Sequence, residues 1–330
     1  MTAVVYARKV SVAPAEPAAE PAAPSLALTA APRWRDAERR HHDRVDVLLA
    51  GRRERAARGE KHPVEDFLFT YYSLRPARLR RWHPGAGVVL PGAERGERAG
   101  WRDHHVVRST AAGTSPDGVP AAGVTLDVAA WLARRGEALR HVRDLLAATA
   151  SRPPHLSCFG LHEWAMVYRL PADDVRHAGW PLRLGAAGTD DVVESQPIRC
   201  THHDAFRFFT PVARPLNAVQ PHREDQVTLE QPGCLHATMD LYKWAYKLLP
   251  AIPSPLVVDA FELARDVRVL DMRASPYDLR ALGHEPVPIE TAAGRATYVE
   301  QQREFAARGA RLRATLLAHC EALLGGAPPR

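Results

Sequence analysis

The chain has 330 residues, 46% of them hydrophobic and 25% charged, with a formal net charge of +6. That apolar content is ordinary for a globular protein with a full core. No apolar run approaches the length of a membrane span, so a cytoplasmic protein without a membrane partner is expected.

Residues 1–31 are rich in Ala, Pro and Glu and lack periodicity. They have no apolar signal core and are expected to form a disordered tail. A single globular domain is expected over 32–326, followed by a short tail over 327–330. From Trp34 to Arg58 a charged, Ala-rich run predicts an exposed helix around Val45, Leu48 and Leu49. Pro63 suits a helix start, and Pro84-Gly85 closes the segment that begins at Lys61. Residues 92–124 are dominated by Gly, charge and turn formers and predict a loop-rich insertion. Leu126 to Ala150 predicts an amphipathic helix, with Val128, Trp131, Leu132, Leu139, Val142, Leu145 and Leu146 on one face. Pro153-Pro154 breaks the pattern. CFGLHEWAMVYRL then fits either a buried strand or a short helix, while VVES and PLRLG are strand candidates. Residues 233–249 predict a helix. Ser254-Pro255 opens another, with Val257, Val258, Phe261, Leu263 and Val267 on its apolar face. A last long helix is predicted from about Arg295 to Leu324. The expected fold class is predominantly α with a few short β-strands (α+β), with helices near both ends enclosing a polar centre.

That centre, about His155 to Arg295, carries the residues with chemistry. His162-Glu163 lies in GLHEWAMVYR but lacks the second histidine of a zincin helix. The pair suits a general acid/base or a ligand, and equally a satisfied core pair. In RCTHHDAFRFFTP, alternation would put His202 and Asp204 on one side of an extended segment. Imidazole and carboxylate can ligate metal or act as base and orienter. In HATMDLYKWAYK, His236, Asp240, Lys243 and Lys247 recur at helical spacing beside Trp244. This is either an acid/base face or a solvated salt-bridged one. Asp271, Arg273 and Asp278 bracket a Ser-Pro-Tyr turn, where Arg–carboxylate forks commonly fix a loop. Thr291, with Gly294 and Arg295, reads as a helix cap that could hold an anion. The cysteines Cys158, Cys200, Cys234 and Cys320 have no C-x-x-C spacing, which argues against a zinc ribbon. Lys9, Lys61, Lys243 and Lys247 are the only lysines. Arginine therefore supplies nearly all the basic charge, a compositional trait of GC-rich genomes, and the charge gives little evidence of a polyanionic partner. No Walker loop, Rossmann fingerprint or nucleophile elbow is present.

The strings KHPVEDFLFTYYSLRPARLRRWHPG, CFGLHEWAMVYR, RCTHHDAFRFFTP, EQPGCLHATMDLYKWAYKL, LDMRASPYDL and IETAAGRATYVEQQ resemble an actinobacterial family commonly labelled 3-methyladenine DNA glycosylase. The resemblance runs from about Trp34 to Leu324, with a break across 92–124. It implies base excision: an alkylated purine is flipped out, stacked between aromatic rings and displaced by water. On that reading Asp240 or Glu163 activates water, Trp164, Tyr168 and Trp244 stack the base, and Arg199, Arg207 and Lys243 meet DNA phosphates, with Arg273 and Arg295 as further anion contacts. The sequence lacks the glycine-rich hairpin of helix-hairpin-helix glycosylases, since Ala251 and Pro253 stand where glycines are needed and proline donates no N–H. Two other readings stand beside it. In one, His162, Glu163, His202, Asp204, His236 and Asp240 converge in the pocket of a small-molecule enzyme unrelated to DNA. No organic cofactor is expected there, and a divalent metal is compatible with His162, Glu163, His202, Asp204 and His236. In the other, the polar block is the interior network of a non-catalytic binding protein.

Overall fold

Sustained helical periodicity becomes long helices, and these form most of the structure, a computed structural model that describes residues 27–28, 31–114, 120–171 and 179–325. Of the tail expected over 1–31 only Ala27, Leu28 and Ala31 are described. The tail expected over 327–330 lies outside the described residues. In chain order come β1 (Ala27–Leu28), α1 (Ala31–Ala57), α2 (Phe67–Thr70), α3 (Pro76–Arg80), β2 (Val88–Pro91), β3 (His104–Thr114), β4 (Pro120–Leu126) and α4 (Val128–Ala150). Then follow α5 (Leu161–Ala165), α6 (Gly185–Ser195), α7 (His203–Phe206), α8 (Gln226–Leu229), α9 (Leu235–Lys247), α10 (Ser254–Arg273) and α11 (Ala292–Leu324). The fold is predominantly α with a few short strands.

The helix α9 is central because it is buried nearly all round. Leu235, Ala237, Met239, Leu241, Tyr242, Trp244 and Ala245 are buried, and so are His236, Thr238 and Asp240. A helix of that kind must be enclosed by other elements. Here α10 and α11 pack against it, and α11 also lies along α4. Gly309 permits the close approach of α11, since a Cβ there would sit 3.0 Å from Thr238 Cγ2. The start of α4 is fixed by Asp127, whose side chain accepts the Ala130 N–H at 2.9 Å. That satisfies one of the donors a helix start leaves open.

Two stretches differ from expectation. Much of the loop predicted over 92–124 is sheet: β4 pairs antiparallel with both β2 and β3, Val106 facing Val124 in register. Gly123 reads as a turn residue in sequence, yet it sits inside a strand. A Cβ there would come 2.6 Å from Val89 Cγ1, so the glycine is what lets β4 lie against β2. Trp34, Trp82, Leu90, Ala93 and Val124 form the core beneath this sheet. The second difference is VVES, whose branched residues suggested a strand. It lies in α6, where the buried positions Thr189, Val192 and Val193 follow helical rather than alternating spacing. In PLRLG only a single bridge, Leu182 to Tyr277, resembles a strand.

Candidate active site

The ambiguous block CFGLHEWAMVYRL forms the single helical turn of α5. It is entered through Phe159 and Gly160, both at positive φ. This tight entry buries every residue of α5, so His162 and Glu163 face the interior together. Opposite them lies α10, with Arg268 and Asp271 three residues apart on its buried side. Arg268 NH1 donates to Glu163 Oε1 at 2.6 Å and to Asp271 Oδ2 at 2.8 Å. The guanidinium also lies 3.9 Å over the Phe67 ring. His162 Nε2 lies 2.9 Å from Asp271 Oδ1, but neither atom has a hydrogen bond of acceptable geometry. The other His162 nitrogen faces Cys158 Sγ at 3.7 Å. Burial alone would lower the His162 pKa, but the Asp271 carboxylate holds it well above the usual imidazole value. Asp271 in turn stays well below the usual carboxylate range despite burial, chiefly through His162.

Chain segments far from α5 extend this group. His236 on α9 stands edge-on to His162, ring centroids 4.4 Å apart, and stacks with His202 at 5.2 Å. Burial, with His162 beside it, pushes the His236 pKa well below the usual imidazole value, which favours the neutral ring. His202 Nε2 lies 3.3 Å from Asp240 Oδ2 and 3.5 Å from Glu230 Oε1. Asp240 also accepts the Tyr72 hydroxyl at 2.8 Å and an ion pair from Lys243, whose ammonium reaches Asp204 Oδ2 at 3.2 Å. Burial would raise the Asp240 carboxyl, but Lys243 and His202 hold it well below the normal range. The predicted helical face of His236, Asp240 and Lys243 is thus an interior network. The extended segment expected at His202 instead caps α7, whose single turn still leaves His202 and Asp204 near the same Lys243–Asp240 pair.

A cleft of about 680 Å³ opens onto one side of the network. Glu163, Asp204, His236 and Arg268 line it, with Phe67, Tyr71, Phe208, Trp180 and Tyr277 as its rings and Met166 as a further apolar wall. Arg52, Lys61, Glu60 and Asp66 also line it. The size and the mix of aromatic walls with a few convergent polar groups suit a small organic ligand. His236 also lines a second void of about 10 Å³ with His162, Cys158, Cys200, Cys234 and Tyr298, which is about the space of one water.

The structure brings His162, Glu163, His202, Asp204, His236 and Asp240 into one connected group, and only Glu163, Asp204 and His236 of these line the cleft. The ring-stacking candidates lie elsewhere. Trp164 is fully buried and donates to the Ala274 carbonyl, and the Tyr168 hydroxyl donates to Glu194. Trp244 packs under Lys243 and Lys247. Arg199 is exposed, and Arg207 lies over Phe208 beside Asp204. Arg273 and Arg295 are used by the backbone carbonyls of Glu285 and Ile289, so each fixes a loop. Sequence reasoning gave no site role to Arg268, Glu230, Tyr72 or the cleft rings Tyr71 and Trp180, and it read Asp271 as part of a loop-fixing fork. The signal for the α10 pair was present: Arg268 and Asp271 continue the spacing of Phe261, Ala264 and Val267, so charges occupy the core-facing stripe of the helix. The chain matches no protein-family model, no curated protein and no solved structure.

Proposed function

We propose that the cleft is the active site of an enzyme that transforms a small, planar, polar molecule by acid–base chemistry. The observation that carries this reading is the convergence of Glu163, Asp204 and His236, from three separate helices, on one ring-lined cleft. Each has a fixed position. Arg268 anchors Glu163, Lys243 anchors Asp204, and the rings of His162 and His202 flank His236. A carboxylate held in place can take or give a proton without reorganising, and a neutral imidazole can accept a hydrogen bond from the substrate. The rings supply flat surfaces for stacking.

A second reading keeps the base-excision chemistry that the sequence resemblance implies, and the composition of the cleft wall favours it. An alkylated purine is a flat cation, which ring faces and carboxylates both attract. The group that activates water is then Glu163 or Asp204, because Asp240 is fully buried and committed to Tyr72, His202 and Lys243.

The two readings part in one experiment. Purified protein is given DNA containing 3-methyladenine and, separately, the free nucleoside 7-methylguanosine, and released base is measured at low and high salt. Release from the nucleoside, indifferent to salt, supports the small-molecule reading. Release from DNA that falls steeply with salt supports base excision. Asp204→Asn should lower the active reaction by about 100-fold or more, the range for losing an acid–base group. No release from either substrate, together with no thermal stabilisation by adenine or 3-methyladenine, rejects both.

A further inference from the structure

We propose that His162, His236 and Asp271 form a binding site for a divalent transition-metal ion at the edge of the cleft. This goes beyond the acid–base reading and does not depend on it. Each of the three residues offers one ligand atom, and the three atoms lie within 4.8 Å of one another. All three side chains are buried. The decisive detail is the His162–Asp271 pair. His162 Nε2 and Asp271 Oδ1 face each other at 2.9 Å as an ion pair, and neither atom makes a hydrogen bond of acceptable geometry. A buried pair satisfied by charge alone leaves lone pairs that a metal ion could take up. Ligand atoms about 2.0–2.1 Å from a common metal lie about 2.9 Å apart at right angles and about 3.3 Å apart at tetrahedral angles, so the pair admits an ion with little or no separation.

The surroundings are those of a metal centre. Asp271 presents Oδ1 because Arg268 occupies Oδ2, and the second nitrogen of His162 faces Cys158 Sγ. Outer partners of this kind orient ligands and fix the imidazole tautomer. Binding would displace the proton that Asp271 holds on His162, after which Asp271, Glu163 and Arg268 leave one net negative charge for a divalent cation to offset. Two imidazoles and one carboxylate suit Fe(II), Co(II) or Zn(II) and not Ca(II) or Mg(II), which prefer oxygen ligands. Three ligands leave positions open to a substrate, and His236 borders both the site and the cleft.

A second trio, His202, Glu230 and Asp240, meets the same distance condition. It is committed otherwise. Asp240 is taken by Tyr72 and Lys243, and Glu230 Oε1 accepts from Gln226 at 2.5 Å.

The full-length protein is stripped with a chelator, dialysed separately against Co(II) and Zn(II), and analysed for metal. The expected result is one ion per chain. It should also include a visible Co(II) absorption band and loss of the His162 and His236 ring signals in a histidine-labelled NMR spectrum, which needs no variant. His236→Gln should weaken binding by more than about 100-fold, beyond the effect of losing an outer partner. His202→Gln should keep the ion, with circular dichroism confirming that both variants fold. Wild-type protein retaining no more metal than His236→Gln overturns the proposal. So does loss of the ion in His202→Gln with retention in His236→Gln, which would move the site to the other trio.

Discussion

Asp240 and Asp204 share Lys243 and have opposite predicted roles. Asp240 is fully buried, with Tyr72, His202 and Lys243 all turned towards it. Replacing it with alanine removes the buried acceptor of Tyr72 and His202 and leaves the Lys243 ammonium only the partly exposed Asp204, which costs about 3 kcal/mol. Urea denaturation should register that loss. The Asp204 side chain is 33% exposed, and its pairing with Lys243 is partly screened by water. Asp204→Asn should therefore lower the stability read from the same unfolding curve by less than about 1 kcal/mol while impairing the reaction. A stability loss at Asp204 as large as at Asp240 would place Asp204 in the scaffold rather than at the site. His83 supplies a pH test away from the cleft. It is buried against Trp101 and His104, and burial, with Arg98 nearby, pushes its pKa down to about 3. The folded state thus holds it neutral, while the unfolded chain takes up a proton below about pH 6.5. Its contribution is present above that pH and is lost as pH falls towards the folded value. Between pH 7 and 4.5 this amounts to on the order of 2 kcal/mol. His83→Leu should flatten the acid limb of a stability-versus-pH curve by that amount. An unchanged slope would contradict the burial of a neutral ring there.

The element scale shows why some of the fold could be read from sequence. The helices α4, α9, α10 and α11 repeat their apolar spacing over several turns, and their predicted bounds fall within a few residues of those observed. Thr291 was read as a cap, and its hydroxyl accepts the Gly294 N–H at 3.0 Å. Thr291→Ala should cost about 1 kcal/mol, measured by chemical denaturation. Gly294 is stricter. A Cβ there would lie 1.9 Å from the Pro288 carbonyl oxygen, so even alanine must displace backbone. Gly294→Ala is expected to cost more than Thr291→Ala, about 2 kcal/mol or above. Equal effects would mean that the entry to α11 yields easily. The hairpin of β3 and β4 was illegible because its stability comes from cross-strand pairing, which a composition of Gly, Ala, Ser and Thr does not display. Valine pairs suggested a strand at VVES because two residues cannot reveal a period, and only the burial of Thr189 alongside them does.

Across the whole molecule, the cleft is assembled from residues between Arg52 and Tyr277, and no single segment contains it. The histidine and carboxylate cluster was partly visible in sequence because His162, Glu163, His202, Asp204 and Asp240 stand in unusually polar, aromatic-rich strings. The Arg268–Asp271 pair is passed over in sequence although its spacing puts charges in the apolar stripe of α10, because Asp271 reads with Arg273 and Asp278 as a loop-fixing fork. The rings of the cleft were equally hidden. Phe67 and Tyr71 stack on each other at 5.0 Å, a contact that fits a core stripe as well as a binding wall, and only the open space beside them distinguishes the two. The net charge of +6 is spread over many arginines, several paired to carboxylates, so whole-molecule charge does not choose between a nucleic acid and a small substrate. The most direct test of the central claim is to titrate metal-free, histidine-labelled protein with 3-methyladenine and adenine and follow the imidazole nitrogens by NMR. Saturable shifts at His236, with His83 unmoved, are the result that a ligand-binding cleft beside this ring predicts. Shifts confined to exposed histidines, or none at any concentration reached, would contradict it.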